Sequence, residues 1–383
     1  MSNSPLSAAA VLVAAAVAAG GCVVESREVA EGVESFEIRV SYPGDLGDEA
    51  ANRPVATRDF VLNIRAVGAE GDPPYEVFNR KALLSVLYGG RLQPLQEVGF
   101  SGGVAADVFV TVERVFGRAI FWIEDSIEAG PSYAAGASVP IVFPNPSIAD
   151  VQFSNEEEAP FTSALSGYQL RSGGQETIKR RVVVTSVTNS GFYMTDLDGP
   201  GNGSNSLFVF NYSRPEGVAA GDNLLWFSGT VAEHLGTTQV TFPSWEVCYE
   251  SWCDGAIPSP FVITQETTYK QETLEALESG LVQIGPVQIQ DVNASKYERE
   301  TFDQYGQYKV RIFDKYGDLG KDFNVVSRES VAEFDPRDHA FEEFTYIRGV
   351  LSELNFNPGV TSWIINVRDR CDICGPEYCP CGE

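Results

Sequence analysis

Apolar and polar side chains alternate with a period of two in short runs along most of this chain, and that pattern limits it to β architecture. Residues 36–40, 60–64 and 107–113 alternate apolar and polar, and 119–123 form a short apolar run. Gly and Pro punctuate the runs at 43–44, 73–74, 89–90 and 102–103. An antiparallel β-sandwich over residues 35–160 follows, with NEEEAP at 155–160 as a linker or exposed loop. Five further short strands are expected at 182–187, 191–194, 207–210, 223–227 and 239–242, separated by Gly- and Asn-rich turns, as in a small barrel. One segment carries a helical period: in QETLEALES (271–279), Leu274, Leu277 and Leu281 fall on one face, with Gly280 as a stop. Strand signals resume at 281–289, 308–313, 323–326, 345–351 and 362–367, which read as a second small barrel.

The fold expected is therefore all-β: an N-terminal sandwich (35–160), a first barrel (168–265), a second (270–370) and a Cys-rich tail (371–383). A length of 383 residues suits that number of units.

Ahead of them, residues 8–19 (AAAVLVAAAVAA) form an apolar run ending in Gly20-Gly21-Cys22, the h-region and small-residue cleavage site of an export signal (residues 1–21). The run is too short for a stable spanning helix, which needs about 20 apolar residues. Ala19-Gly20-Gly21-Cys22 resembles the bacterial lipoprotein lipobox, which implies a diacylglyceryl thioether on Cys22 and a membrane anchor, with residues 22–34 as an acidic tether. Val23, where a retention signal would have Asp, implies the outer membrane. An ordinary secretory signal with an incidental cysteine is the alternative.

Setting Cys22 aside leaves six cysteines: Cys248 and Cys253 in CYESWC, and Cys371, Cys374, Cys379 and Cys381 in CDICGPEYCPC. An exported chain meets an oxidising compartment, so disulfides are expected, tying the tail to itself or to the Cys248/Cys253 loop. A four-thiolate zinc site in the tail is the competing reading.

Charge bears on partners. With 27 Lys+Arg against 53 Asp+Glu, the net charge is −26, which disfavours nucleic acid, because phosphate affinity rests on basic side chains. Residues 168–265 hold five basic side chains (Arg171, Lys179, Arg180, Arg181, Arg214) against nine acidic ones. Only Lys179, Arg180 and Arg181 could form a basic patch there. Phe192, Tyr193, Phe208, Phe210 and Trp226 could stack on sugars or bases, with barrel packing as the alternative. Asp196, Asp198, Asn202 and Asn205 put oxygen donors on one turn, as a hard cation such as calcium requires; a plain Gly/Asn hairpin turn is the alternative. No other cofactor is expected. His234 and His339, the only two histidines, read as surface residues. No G-x-S-x-G, phosphate loop or H-E-x-x-H occurs, so no catalysis is expected.

At residues 181–247 the sequence offers Val184-Thr185-Ser186-Val187, Gly191-Phe192-Tyr193, Asp196-Leu197-Asp198-Gly199, Gly221-Asp222, Gly229-Thr230-Val231 and Thr238-Gln239-Val240 in order. This series resembles the OB-fold accessory domain of secreted bacterial endonuclease/exonuclease/phosphatase-type nucleases. The next segment, LEALESGLVQIGPVQI, is similar to that family's L-E-x-x-E-G-M-L-V entry into a following barrel. The resemblance, over about 181–290, implies two OB-like barrels without the nuclease domain, in an arrangement similar to lipoproteins of myxobacteria. The function expected is a non-catalytic envelope lipoprotein that binds or scaffolds an envelope protein or polysaccharide. The alternative is an accessory module that captures extracellular polysaccharide or nucleic acid for a separate enzyme.

Overall fold

The computed structural model describes residues 33–41, 57–68, 79–125, 135–154, 162–173, 180–201, 203–313, 319–357 and 360–381. Cys22, the export signal, the segment 155–160, Lys179 and Asn202 lie outside them. The fold is all-β, as the alternation requires.

Two sheets make the N-terminal sandwich. One orders β1 (Ser35–Ser41), β2 (Thr57–Val67) and β5 (Val104–Glu113); the other runs β4 (Arg91–Gly99), β3 (Lys81–Tyr88) and β6 (Arg118–Asp125), which also pairs with β7 (Gly136–Ala137) and β8 (Ile141–Val142). Period-two alternation turns Phe60, Leu62 and Ile64 of β2 toward Leu84, Val86, Phe121 and Ile123, and Phe60 meets Phe121 edge-on at 5.0 Å. After the short helix α1 (Ile148–Val151), whose Ser147 forms a capping box with Asp150, the chain returns through β9 (Gln169–Gly173).

The first barrel comprises β10 (Val182–Val187), β11 (Gly191–Asp196), β12 (Ser206–Phe210), β13 (Asn223–His234) and β14 (Thr237–Val247). They pair in the order β10-β11-β12-β14-β13, β12 and β14 are parallel, and β13 closes back on β10. This is the five-stranded Greek-key connectivity of an OB barrel. β9 extends its sheet alongside β13.

The second barrel repeats that connectivity. β16 (Leu281–Ile284) and β17 (Val287–Ile289) are two halves of one strand. β17 pairs with β18 (Gln307–Phe313), which pairs with β19 (Leu319–Val326). β19 lies parallel to β22 (Val360–Asn366), β22 pairs with β21 (Tyr346–Asn357), and β21 returns to β16. Two short strands extend this sheet, β15 (Phe261–Ile263) parallel to β16 and β20 (Glu343–Phe344) against β17.

Two helical readings need correction. The helix expected over 271–279 ends earlier, as α2 (Gln271–Ala276): Ser279 takes a left-handed φ of 60° and donates its N–H to Leu351 O, so Leu281 starts a strand. A second helix, α3 (Lys296–Tyr305), was not expected, because only Phe302 of its ten residues is buried. Its signals are at its ends, with Ser295 capping the N-terminus and left-handed Gly306 closing the C-terminus.

The six cysteines other than Cys22 are all paired, Cys248–Cys253, Cys371–Cys381 and Cys374–Cys379. The zinc reading therefore loses its thiolates. The tail is tied to itself, and β23 (Ile373–Cys374) adds to the edge of β21.

Sandwich and first barrel share one continuous apolar cluster that passes through Leu165, Tyr168 and Leu170. At the junction Gly89 has a φ of +53°, and a Cβ there would sit 2.0 Å from the Tyr168 ring. Gly89→Ala is expected to cost about 1–3 kcal/mol, through both overpacking and the left-handed backbone. Urea denaturation would check this; a change within the noise would mean that the junction yields freely.

Candidate functional site

The aromatic set divides between two faces of the first barrel. Phe192 points inward, fully buried, and meets Trp245 edge-on at 5.2 Å. Tyr193 and Phe208 point outward with their rings tilted against each other at 4.6 Å, and the second barrel covers them with Leu281 and Val350. This explains why β11 is buried along its whole length: one face lines the barrel, the other lines the joint between barrels. Phe210 continues the outer row to Tyr212, 4.5 Å away, and Tyr212 to Phe242 at 5.9 Å. Those last two are 65% and 73% exposed. Trp226 stands apart on β13, with its indole N–H donated to Glu246.

The basic side chains and the acidic turn, which the sequence treats separately, are brought together. Arg180 pairs with the buried Asp196 at 2.8 Å, and Arg181 grips Asp198 through its backbone N–H, Nε and Nη2. The Arg181 hydrogen bonds and charge hold the Asp198 carboxyl below the usual carboxylate range. Asn205 donates to Asp196 O. The described part of the expected basic patch and both carboxylates of the calcium turn thus neutralise each other.

His234 is exposed, as expected. His339 is not a free surface residue: its ring stacks on Phe334 at 5.0 Å, lies against Tyr378 of the tail, and its Nδ1 is 2.8 Å from Glu342. Among the described residues, no group of three or more His, Cys, Asp or Glu is placed to hold a metal ion.

Between the barrels lies a cleft of about 450 Å3, with Tyr193 and Phe208 on its floor and Asn189, Arg214, Glu329 and Arg368 among its walls. That is the size of a small-ligand site. Asn189 donates to Glu329 across it, and Arg368 reaches Thr185 O.

The most unusual chemistry sits elsewhere along the same joint. Glu233 of β13, Glu275 of α2, Glu278 just beyond it and Glu353 of β21 converge where the β13–β14 hairpin meets the second barrel. Glu278 is 1% exposed and Glu353 is 3%. Glu278 accepts from Thr238 N at 3.1 Å, and Glu233 accepts from Ser163 N and Thr238 Oγ1. The second oxygen of Glu233, Glu278 and Glu353, and one oxygen of Glu275, are buried without a hydrogen-bond partner. Burial foremost pushes Glu233 and Glu353 up to about 7 and Glu275 to about 8, with mutual repulsion adding to Glu275 and Glu353. Burial and the Glu275 charge push Glu278 well up too. Little in the sequence marks this group, because 120 positions separate its first and last members. Its only local trace is the L-E-x-x-E pattern at 274–278.

No known family model matches this chain, and no curated protein matches it in sequence.

Proposed function

We propose that the protein is a non-catalytic binding or scaffolding module of the bacterial envelope, held to the outer membrane by a lipid on Cys22. The observation that carries this reading is the covered face of the first barrel. Strands 2 and 3 of an OB barrel commonly receive oligomers; here Leu281 and Val350 of the second barrel occupy that face. With Arg180 and Arg181 paired and the chain at −26, little supports a nucleic-acid groove. The resemblance of residues 181–290 to an accessory module, and the lack of any catalytic motif, support an auxiliary role.

Fluorescence anisotropy with single-stranded DNA at low salt is expected to stay flat, and mass spectrometry of protein from its native host to show diacylglyceryl-cysteine at position 22. Saturable, salt-sensitive DNA binding, turnover of DNA, or an unmodified N-terminus would each remove part of the proposal.

The second reading, capture of polysaccharide, is favoured by the exposed pair Tyr212 and Phe242. Both rings are held outward on left-handed backbone, with φ of 57° and 50°. Retention on cellulose, chitin or peptidoglycan that Tyr212→Ala and Phe242→Ala abolish would favour capture over scaffolding.

A further inference from the structure

We propose that Glu233, Glu275, Glu278 and Glu353 form a proton-held joint: while protonated they seat the second barrel over β11 and β12, and their ionisation parts the barrels and uncovers the Tyr193–Phe208 face. Four carboxyls from three separate parts of the fold meet in one place. Among the described residues, no Lys or Arg forms an ion pair with any of them. A buried carboxylate without a counter-charge is costly, and the usual relief is to keep its proton.

The groups that face the cluster come from every element packed on it. β14 and the loop before β9 supply Thr238 and Ser163 as donors, and β22 supplies Thr361 to Glu353. β11 supplies the Tyr193 phenol, which burial and the nearby Glu278 charge keep un-ionised. All of these are neutral, so every charge in the joint would come from the glutamates and would repel the others.

The same place is where the barrels touch. Asn355 N donates to Leu235 O at 2.6 Å, Thr237 Oγ1 to Glu353 O at 2.8 Å, and Ser204 N to Ala276 O. Gly236, in the hairpin turn, lies so close that a Cβ on it would be 2.7 Å from the Glu353 carboxyl carbon. A carboxylate held that tightly cannot gather a hydration shell without moving the hairpin. Parting there also removes Leu281 and Val350 from Tyr193 and Phe208.

The sign follows from linkage. Below the ordinary value of 4.5 both folded and unfolded chains carry these protons, and the joint has its full stability. Between 4.5 and about 7–8 the folded chain keeps protons that the unfolded chain has released, so stability falls as pH rises through that window. The direction is opposite to ordinary acid denaturation.

Hydrogen exchange followed by mass spectrometry on the purified protein at about pH 5.5 and 8.5, corrected for intrinsic rates, tests the proposal. Peptides covering 191–210, 271–281 and 349–355 are expected to exchange about tenfold or more faster at the higher pH, while sandwich peptides around Phe121 are unchanged. In the variant E233Q/E275Q/E278Q/E353Q the pH difference is expected to vanish, since amides cannot ionise. If that variant does not fold, E275Q/E278Q makes the comparison: a smaller pH response supports the joint and an unchanged one overturns it. Equal protection of the wild-type joint at both pH values, or a uniform loss that includes the sandwich, also overturns it.

Discussion

Replacing Phe192 with alanine is expected to lower the folding free energy by about 3–5 kcal/mol, the cost of emptying a phenyl ring from a closed core. Phe192 is wholly buried and braced edge-on by Trp245. The surrounding strands are fixed by hydrogen bonds to both neighbours, so the barrel wall cannot collapse far into the space left. Urea unfolding followed by Trp fluorescence would measure the loss. Tyr212→Ala is the matched control on the same barrel: exposed as it is, its removal is expected to change stability by no more than about 0.5 kcal/mol. A loss under about 1 kcal/mol for Phe192→Ala would mean that the barrel interior is not packed as described.

The second large effect concerns the tail. Arg368 donates from Nε and Nη2 to Asp372 at 2.7 Å each, and Asp372 also accepts the Arg368 backbone N–H. Burial would lower the guanidinium, but the hydrogen bonds and charge of Asp372 outweigh it and leave Arg368 above its ordinary value. Asp372→Ala is expected to cost about 3–5 kcal/mol, because it strands a largely buried cation. The pair itself is worth much less than that. Arg368→Met with Asp372→Leu removes both charges at similar volume and is expected to fall within about 1–2 kcal/mol of wild type. If the double change costs as much as the single one, packing rather than charge governs the site. Denaturation of both variants without reductant, so that the disulfides stay closed, separates the two outcomes.

How much of this was legible in sequence depends on distance along the chain. Tyr308, Val310 and Ile312 alternate with Gln307, Lys309 and Arg311, and the strand built from them is buried on that same alternation. Local period sufficed there. Helix α3 escaped because KYERETFDQY has almost no apolar stripe, and its caps at Ser295 and Gly306 were the only evidence for it. The aromatic set was legible as a group but not by role. Phe192 and Tyr193 are adjacent aromatics, and only the arrival of Leu281 and Val350 decides that one fills a barrel and the other a joint. The pairing of Arg180 and Arg181 with Asp196 and Asp198 needed the register that sets Val182 opposite Asp196. The four glutamates were the least accessible of all, since tertiary contact alone assembles them.

The division of the apolar interior has a mechanical consequence. One core runs unbroken through the sandwich and the first barrel and a second fills the second barrel; between them, among the described residues, the apolar contact is a small cluster around Tyr193, Phe208, Leu281 and Val350, beside polar contacts and the four glutamates. A chain built this way shares one core across its first two units and joins its third through a smaller apolar contact. A tensile load applied across its ends would be borne last by the shared core and first by the acidic seam, and under the proposed proton-held joint the force that separates the barrels would fall as the surrounding medium becomes less acidic.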